Sequence, residues 1–445
     1  MRTRREDKRG EIKIVDIEAL MPIKHLLRKI DNALDWSYIY KLTEKYYCED
    51  NGRPSEDAVV LVKMAFLQHL YGIRSMRKTV EEIEVNIAYR WFLHFNLDDK
   101  IPHFATVSYA FATRFPSELF QEIFSWVLSA AVSKKLVKAE NIFIDATHIR
   151  ANANKKKKYK EQAEITARAY DELLREEINA DRAAHGKKPL KPLPEKESKA
   201  KEVTKSITDP DCGVFRKGEH NTEFAYTTHT ICDKNGIVLA ADVAPANVHD
   251  STMFDELYKA TIEKFEEVER IGMDSAYKTP WIMKQVIDSN RLPSVPYKRP
   301  MTKEGYFKKH EYVYDEHNDC VLCPANQILS YSTTNRDGYR EYKSKPNICK
   351  NCPHIKSCTQ SKNHQKTVLM HIWSKYMEQA EEIRHTPEGK ATYALRKETI
   401  ERVFADGKEK HSMRYTFIRG LGRVRNWVRL KYAAMNLKKV AMCAV

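Results

Sequence analysis

Two aspartates stand where a chain often places reactive groups. Asn141-Ile-Phe-Ile-Asp145 and Val268-Glu-Arg-Ile-Gly-Met-Asp274 are short β-rich runs that each close on an acid. A carboxylate ending a buried strand is costly unless it is paired or bound to a cation. Two such strands in one sheet point to phosphodiester chemistry, in which converging carboxylates hold two divalent ions about 3.5–4 Å apart. One ion activates the attacking oxygen and the other stabilises the leaving one. Mg²⁺ suits the task because it takes few protein ligands and leaves positions for phosphate and water. A third acid belongs to the stretch 396–409, where Glu398, Glu401, Asp406 and Glu409 compete. Lys397, Glu401 and Lys408 are four and seven apart and share one helical stripe, setting an acid between two ammonium groups. An exposed salt-bridge ladder has the same spacing, although Ile400, Val403 and Phe404 turn this stretch toward a core.

A second set of reactive side chains is sulfur. Nine cysteines are present, and five of them form Cys320-x2-Cys323 and Cys349-x2-Cys352-x5-Cys358. Paired CxxC knuckles at this separation read as a tetrahedral zinc site of four thiolates. Five thiols admit two sets: Cys323, Cys349, Cys352 and Cys358, or Cys320, Cys323, Cys349 and Cys352. His354 is a weaker ligand candidate, and free thiols without metal are the plain alternative. Cys48, Cys212, Cys232 and Cys443 stand alone and read as small core or surface residues.

These groups need a scaffold. Residues 11–135 carry helical apolar spacing at 57–73, 77–93, after Pro102 and at 118–137. Short polar or Pro/Gly breaks between them suit an all-α bundle, 1–138, with a lean toward DNA binding of helix-turn-helix type. From 139 the pattern becomes strand (141–147), strand (224–232), strand (237–243), helix (251–267), strand (268–274), helix (280–289), strand (292–296). The expectation is a mixed five-stranded α/β sheet with helices on its faces, followed by helices at 389–406 and 421–440. A charged segment, 155–207, reads as a solvated helix at 159–184 plus linker. The cysteine-rich insert, 300–375, mixes tyrosines with lysines and arginines, a combination that can stack on bases and neutralise phosphates.

Composition narrows the class. With 445 residues, 42% hydrophobic, the chain is globular and long enough for two or three domains. A net charge of +15 favours a polyanionic partner, nucleic acid first. No long apolar run suggests a membrane span, and the charged start lacks the apolar stretch of a secretory signal. The few clustered cysteines fit a reducing, cytoplasmic setting.

Together, Phe143-Ile-Asp145-Ala-Thr-His-Ile, Asn247-Val-His-Asp-Ser251, Gly272-Met-Asp274-Ser-Ala-Tyr277 and Ile400-Glu401-Arg-Val-Phe404 resemble DDE transposases of bacterial insertion sequences. Tyr71-Gly-Ile-Arg-Ser75 and Tyr89-Arg-Trp-Phe92 extend the resemblance into the helical part. It implies an RNase H-like catalytic core, two Mg²⁺ or Mn²⁺ ions on Asp145, Asp274 and Glu401, and cleavage and strand transfer at inverted repeats. Double-stranded DNA is the implied partner, with a homodimer expected because two ends must be held together. Relatives show Tyr-x2-Arg-x3-Glu-x6-Lys around the last acid. Here Glu401 to Lys408 keeps that spacing, Lys397 stands where Arg is expected, Arg396 is beside it, and Tyr393 is one position off. Thr147, His148, His249, Lys397, Lys408, Arg423 and Arg425 are the candidate DNA contacts, with Arg429 and Lys431 beside the last two. Asp209-Pro-Asp211 either lines the DNA path or makes a turn. The rival readings are a catalytically silent, transposase-derived DNA-binding protein and a nuclease of another role on the same fold.

Overall fold

The computed structural model describes residues 14–48, 54–163, 170–191, 201–217, 221–299 and 302–443. Its central sheet is organised around β1 (Asn141–Arg150), whose Ile142, Phe143 and Ile144 are fully buried. On one side β1 pairs antiparallel with β5 (Asn221–Asp233), from Ile142 opposite Asp233 to Arg150 opposite Ala225. β5 in turn pairs antiparallel with β6 (Val238–Pro245), through the turn at Asp233-Lys-Asn-Gly236. Gly236 there has φ +69°, the left-handed geometry that glycine accepts without penalty. On the other side β1 runs parallel to β7 (Arg270–Met273), and β7 runs parallel to β8 (Leu292–Ser294). The path β6-β5-β1-β7-β8 is the expected five-stranded mixed sheet, and β4 (Gly213–Lys217) pairs with the start of β5 as a sixth strand.

The charged segment differs from expectation. Residues 158–163 form β2 (Lys158–Ala163) rather than helix, and they pair antiparallel with β3 (Lys201–Ser206). Neither strand has an apolar face. Cross-strand ion pairs, Lys160 with Glu202 at 3.0 Å and Lys205 with Glu161 at 2.9 Å, stand in its place. The helix within this segment is Asp171–Ala184, anchored by buried Leu174 and Ile178. Residues 164–169 and 192–200, including most of the Pro-rich stretch expected as linker, lie outside the described residues.

At the N-terminal end, α1 (Leu26–Asp31) and α2 (Ala58–Leu70) are followed by α3 (Met76–Val85) and α4 (Ile87–Phe92). The helix expected over 77–93 is broken at Asn86, whose side chain caps α4 by accepting from the Ala88 and Tyr89 amides. α5 (Ser117–Ser133) closes the bundle. α6 is the helix Asp171–Ala184 just described, and α7 (Phe254–Lys264) and α8 (Pro280–Asp288) flank the sheet. The C-terminal half ends in α9 (Ser374–His385), α10 (Pro387–Ala394), α11 (Ile400–Lys410) and α12 (Leu421–Cys443). α12 contacts α5, α2, α1 and β6, so the helical part and the sheet share one hydrophobic core. This sandwiched position buries Ala433, Ala434, Leu437, Val440 and Ala441 completely. Among the described residues no helix is long and apolar enough to cross a membrane.

The cysteine-rich insert is a separate antiparallel sheet, β9 (Val313–Asp315), β10 (Cys320–Leu322), β11 (Ile328–Thr334), β12 (Tyr339–Lys343) and β13 (Thr367–His371), ordered β13-β12-β11-β10-β9. Its own core is small: Val321, Leu329 and Tyr342. α6 ties it down. Asp181 accepts from Arg340 Nε at 2.8 Å, Arg182 donates to the Thr334 carbonyl at 2.8 Å, and Trp373 donates to Glu177 at 2.5 Å. Some of the aromatic and basic residues expected to meet DNA are spent on this docking. Tyr331 stacks on His185 and Arg340 holds Asp181, while Tyr342 is buried in the insert's own core.

Candidate active site

Asp145 is not the last residue of its strand. β1 continues to Arg150 because β5 pairs with its whole length, whereas β7 pairs with it only as far as Ile144 opposite Met273. Asp145 and Asp274 are therefore the next residue on each of two parallel neighbours, at the point where their pairing stops. Such ends of parallel strands are where open α/β sheets place ligands. The Asp145 side chain also accepts from the Ala146 amide at 2.8 Å, and Asp274 caps the short turn Ser275–Tyr277 through the Ser275 amide.

Between the two carboxylates lies a cation of the chain's own. Arg396, 4% exposed, donates to Asp145 Oδ2 at 2.5 Å and stands 3.9 Å from Asp274 Oδ1. It comes from the turn Leu395–Lys397, which interrupts the helix expected over 389–406. Thr399, with φ −109° and ψ −96°, leaves helical geometry before α11 begins at Ile400. The break inserts one residue between Arg and Glu, so Arg396 turns inward while Lys397 is exposed. Of the two basic neighbours, Arg396 and not Lys397 is the one that reaches the aspartates. The Tyr393 ring lies 5.5 Å from the Arg396 guanidinium.

Gly272 makes room for this arrangement. A Cβ there would meet Phe143 Cδ1 at 2.7 Å and Arg396 Cγ at 3.5 Å. Burial pushes the Asp145 carboxyl up to about 6, against the pull of Arg396 and with a further push from Asp274.

The other candidates divide. Glu401 and Glu398 are both exposed. Among the described residues, no three His, Cys, Asp or Glu side chains are gathered closely enough to hold a metal ion, so Glu401 does not join the aspartate pair in this arrangement. Thr147 is buried. His148 stacks on Phe215 with 3.6 Å between centroids and shares a hydrogen bond with Thr227 Oγ1 at 2.9 Å. Burial, with Lys408 nearby, pulls it down to about 4. His249 caps the turn Asp250–Met253 by accepting from the Ser251 amide. Arg425 is paired with Asp242 at 2.5 Å. Arg429 donates to the Ser117 carbonyl, and Lys431 is 1% exposed, donating to the His411 carbonyl. Neither of the last two faces outward as expected of a basic helix. Asp209 and Asp211 make a structural cap: Asp209 accepts from Tyr226 and the Gly420 amide, and Asp211 accepts from the Leu421 amide at the start of α12.

A cleft of about 1170 Å³ opens between the helical part and the segment joining α11 to α12. Arg74, Lys408, Arg414, Arg419 and Arg423 line it, and Glu409, paired with Arg414, is the one acid on its walls among the described residues. Of these, Lys408 and Arg423 are among the DNA contacts expected from the sequence. Arg74, Arg414 and Arg419 come from turns, where no periodicity marks an exposed basic residue.

Two known families match parts of the chain. Residues 322–441 match the family model described as a transposase DDE domain, and residues 15–112 match one described as a transposase domain of the DUF772 type. The first match holds Arg396, Glu401 and Lys408; neither covers Asp145 or Asp274. No curated protein and no solved structure gave a match. An N-terminal transposase-domain match and a C-terminal transposase DDE-domain match in one chain are consistent with a DDE transposase of insertion sequences.

Proposed function

We propose that the chain cuts and rejoins DNA at the inverted-repeat ends of its insertion sequence, using divalent metal on an RNase H-like core. The observation that carries the reading is the placement of Asp145 and Asp274 side by side where two parallel strands part, with Arg396 buried against them. The sheet order β6-β5-β1-β7-β8, in which only β5 opposes the rest, supports the RNase H-like assignment.

The aspartates supply hard oxygen donors on neighbouring strands, a donor set that fits Mg²⁺ or Mn²⁺. Asp145 and Asp274 would hold the metal, with Glu401 of α11 as the third ligand. Bound there, the divalent ions would polarise the scissile phosphate and lower the pKa of the attacking water or hydroxyl. Arg396 neutralises the carboxylate pair and orients Asp145 from a fixed turn. Lys408, Arg74, Arg414, Arg419 and Arg423 give the neighbouring cleft the charge to hold a phosphate backbone. Synapsis of two ends calls for a homodimer, acting in the cytoplasm where the element's DNA lies.

A second reading is a DNA-binding protein without cleavage. The exposed Glu401, apart from the aspartates, is the observation that favours it. The full chain, incubated with Mg²⁺ or Mn²⁺ and a duplex carrying the element's own ends, separates the two. Cleavage that is lost in Asp145→Ala, Asp274→Ala and Glu401→Ala, with end binding kept, supports the proposal. Specific binding with no metal-dependent cleavage supports the second reading.

A further inference from the structure

The insert's thiols are not scattered. Cys323, Cys349, Cys352 and Cys358 all line one small cavity of about 30 Å³, whereas Cys320 is absent from its walls. Cys320 lies on β10, buried and paired in register with Ser330 and Asp315. The four cavity thiols come from three pieces of chain: the turn after β10, the helical turn Pro346–Cys349 with the loop behind it, and the helical turn Ile355–Cys358. None of them is in a disulfide.

We propose that these four thiols bind one zinc ion, and that Cys320 is not a ligand. Three observations converge on this assignment. The cavity wall carries four sulfurs, two of them from the Cys349-x2-Cys352 turn, set among Leu329, Ile348 and Ile355, and four thiolates are a donor set that zinc takes in structural sites. The Gln327 amide donates to Cys323 Sγ at 3.4 Å, so one sulfur already accepts a backbone hydrogen bond of the kind that steadies a thiolate. The insert sheet has only three fully buried apolar side chains, too small a core to fix two four-residue helical turns without a staple. The sulfurs share the cavity without converging to coordinating distance, so capture requires side-chain rotation, and each thiol releases its proton to solvent as it binds. The zinc pins the helical turns to the β10–β11 hairpin at the end of the insert away from α6. It has no part in the chemistry of Asp145 and Asp274.

The test uses the full-length chain, purified under reducing conditions without chelator and analysed for metal by elemental analysis. The expected result is a single zinc ion per chain, retained in Cys320→Ser and lost in Cys352→Ser and Cys358→Ser. Cobalt exchanged into the wild-type protein should show the intense sulfur-to-metal absorption of an all-thiolate tetrahedral site. Mass mapping of alkylation covers the case in which the serine variants fail to fold: zinc slows modification of the four cavity cysteines roughly tenfold or more, and a chelator restores it. A chain that holds no zinc overturns the proposal. So does zinc lost in Cys320→Ser but kept in Cys358→Ser, or a disulfide among the four in freshly isolated protein.

Discussion

Arg396 reaches Asp145 from 251 positions further along the chain, and its guanidinium stands 2.5 Å from the Asp145 carboxylate. The arginine is almost fully buried, whereas the Asp145 side chain keeps 18% of its exposure and Asp274 keeps 47%. Burial lifts the Asp145 carboxyl to about 6 even with Arg396 beside it, so above that pH its charge costs the fold stability. Asp145→Asn is therefore expected to keep or raise stability at pH 8, whereas Asp274→Asn, half-exposed and further away, changes it by under about 1 kcal/mol. Denaturant titration of the two variants checks this. A clear loss in Asp145→Asn would mean that the pairing with Arg396 outweighs the cost of burial.

Gly272 sets the spacing of the same site. A methyl at this position would overlap the Phe143 ring and only touch the Arg396 stem. Gly272→Ala is therefore expected to lose about 1–3 kcal/mol and to impair catalysis without touching a carboxylate. A variant with wild-type melting and activity would show that Phe143 gives way freely.

Lys431 offers a pH signature. Burial pulls its ammonium down to about 7, below the value near 10.4 of an unfolded lysine. Between these values the unfolded chain binds the extra proton, so this residue's contribution to stability rises as pH rises. The stability of wild type relative to Lys431→Met should climb by up to about 1.4 kcal/mol per pH unit between pH 7 and 10. A flat difference would mean that the lysine stays charged in the fold.

Arg423 and Arg425, two residues apart on α12, should behave differently. Arg423 lines the basic cleft, but Arg425 is held by Asp242. Arg423→Ala is expected to weaken DNA binding and reduce the salt dependence by about one counterion. Arg425→Ala should leave the salt slope unchanged. Equal effects on the slope would place the DNA elsewhere.

The sheet was legible because its strands are apolar and its turns carry glycine, as at Gly236. Asp145 and Asp274 were legible for the same reason: an acid that closes an apolar run is conspicuous. β2 and β3 were hidden, since paired charges replace the alternation that marks a strand. The break at Thr399 was hidden too, because no proline or glycine interrupts 395–400. That break is what turns Arg396 inward and leaves Lys397 exposed. The roles of Arg425, Arg429 and Lys431 depended on what folds against α12, and spacing within one helix does not report its partners.

The most direct measurement is cleavage of end-bearing DNA by the full chain with Mg²⁺, compared among wild type, Asp145→Ala, Asp274→Ala, Glu401→Ala and Glu398→Ala. The account predicts cutting by wild type and Glu398→Ala, and a loss of at least about a thousandfold in the other three, with end binding preserved. Undiminished cutting by Asp145→Ala or Asp274→Ala would contradict it.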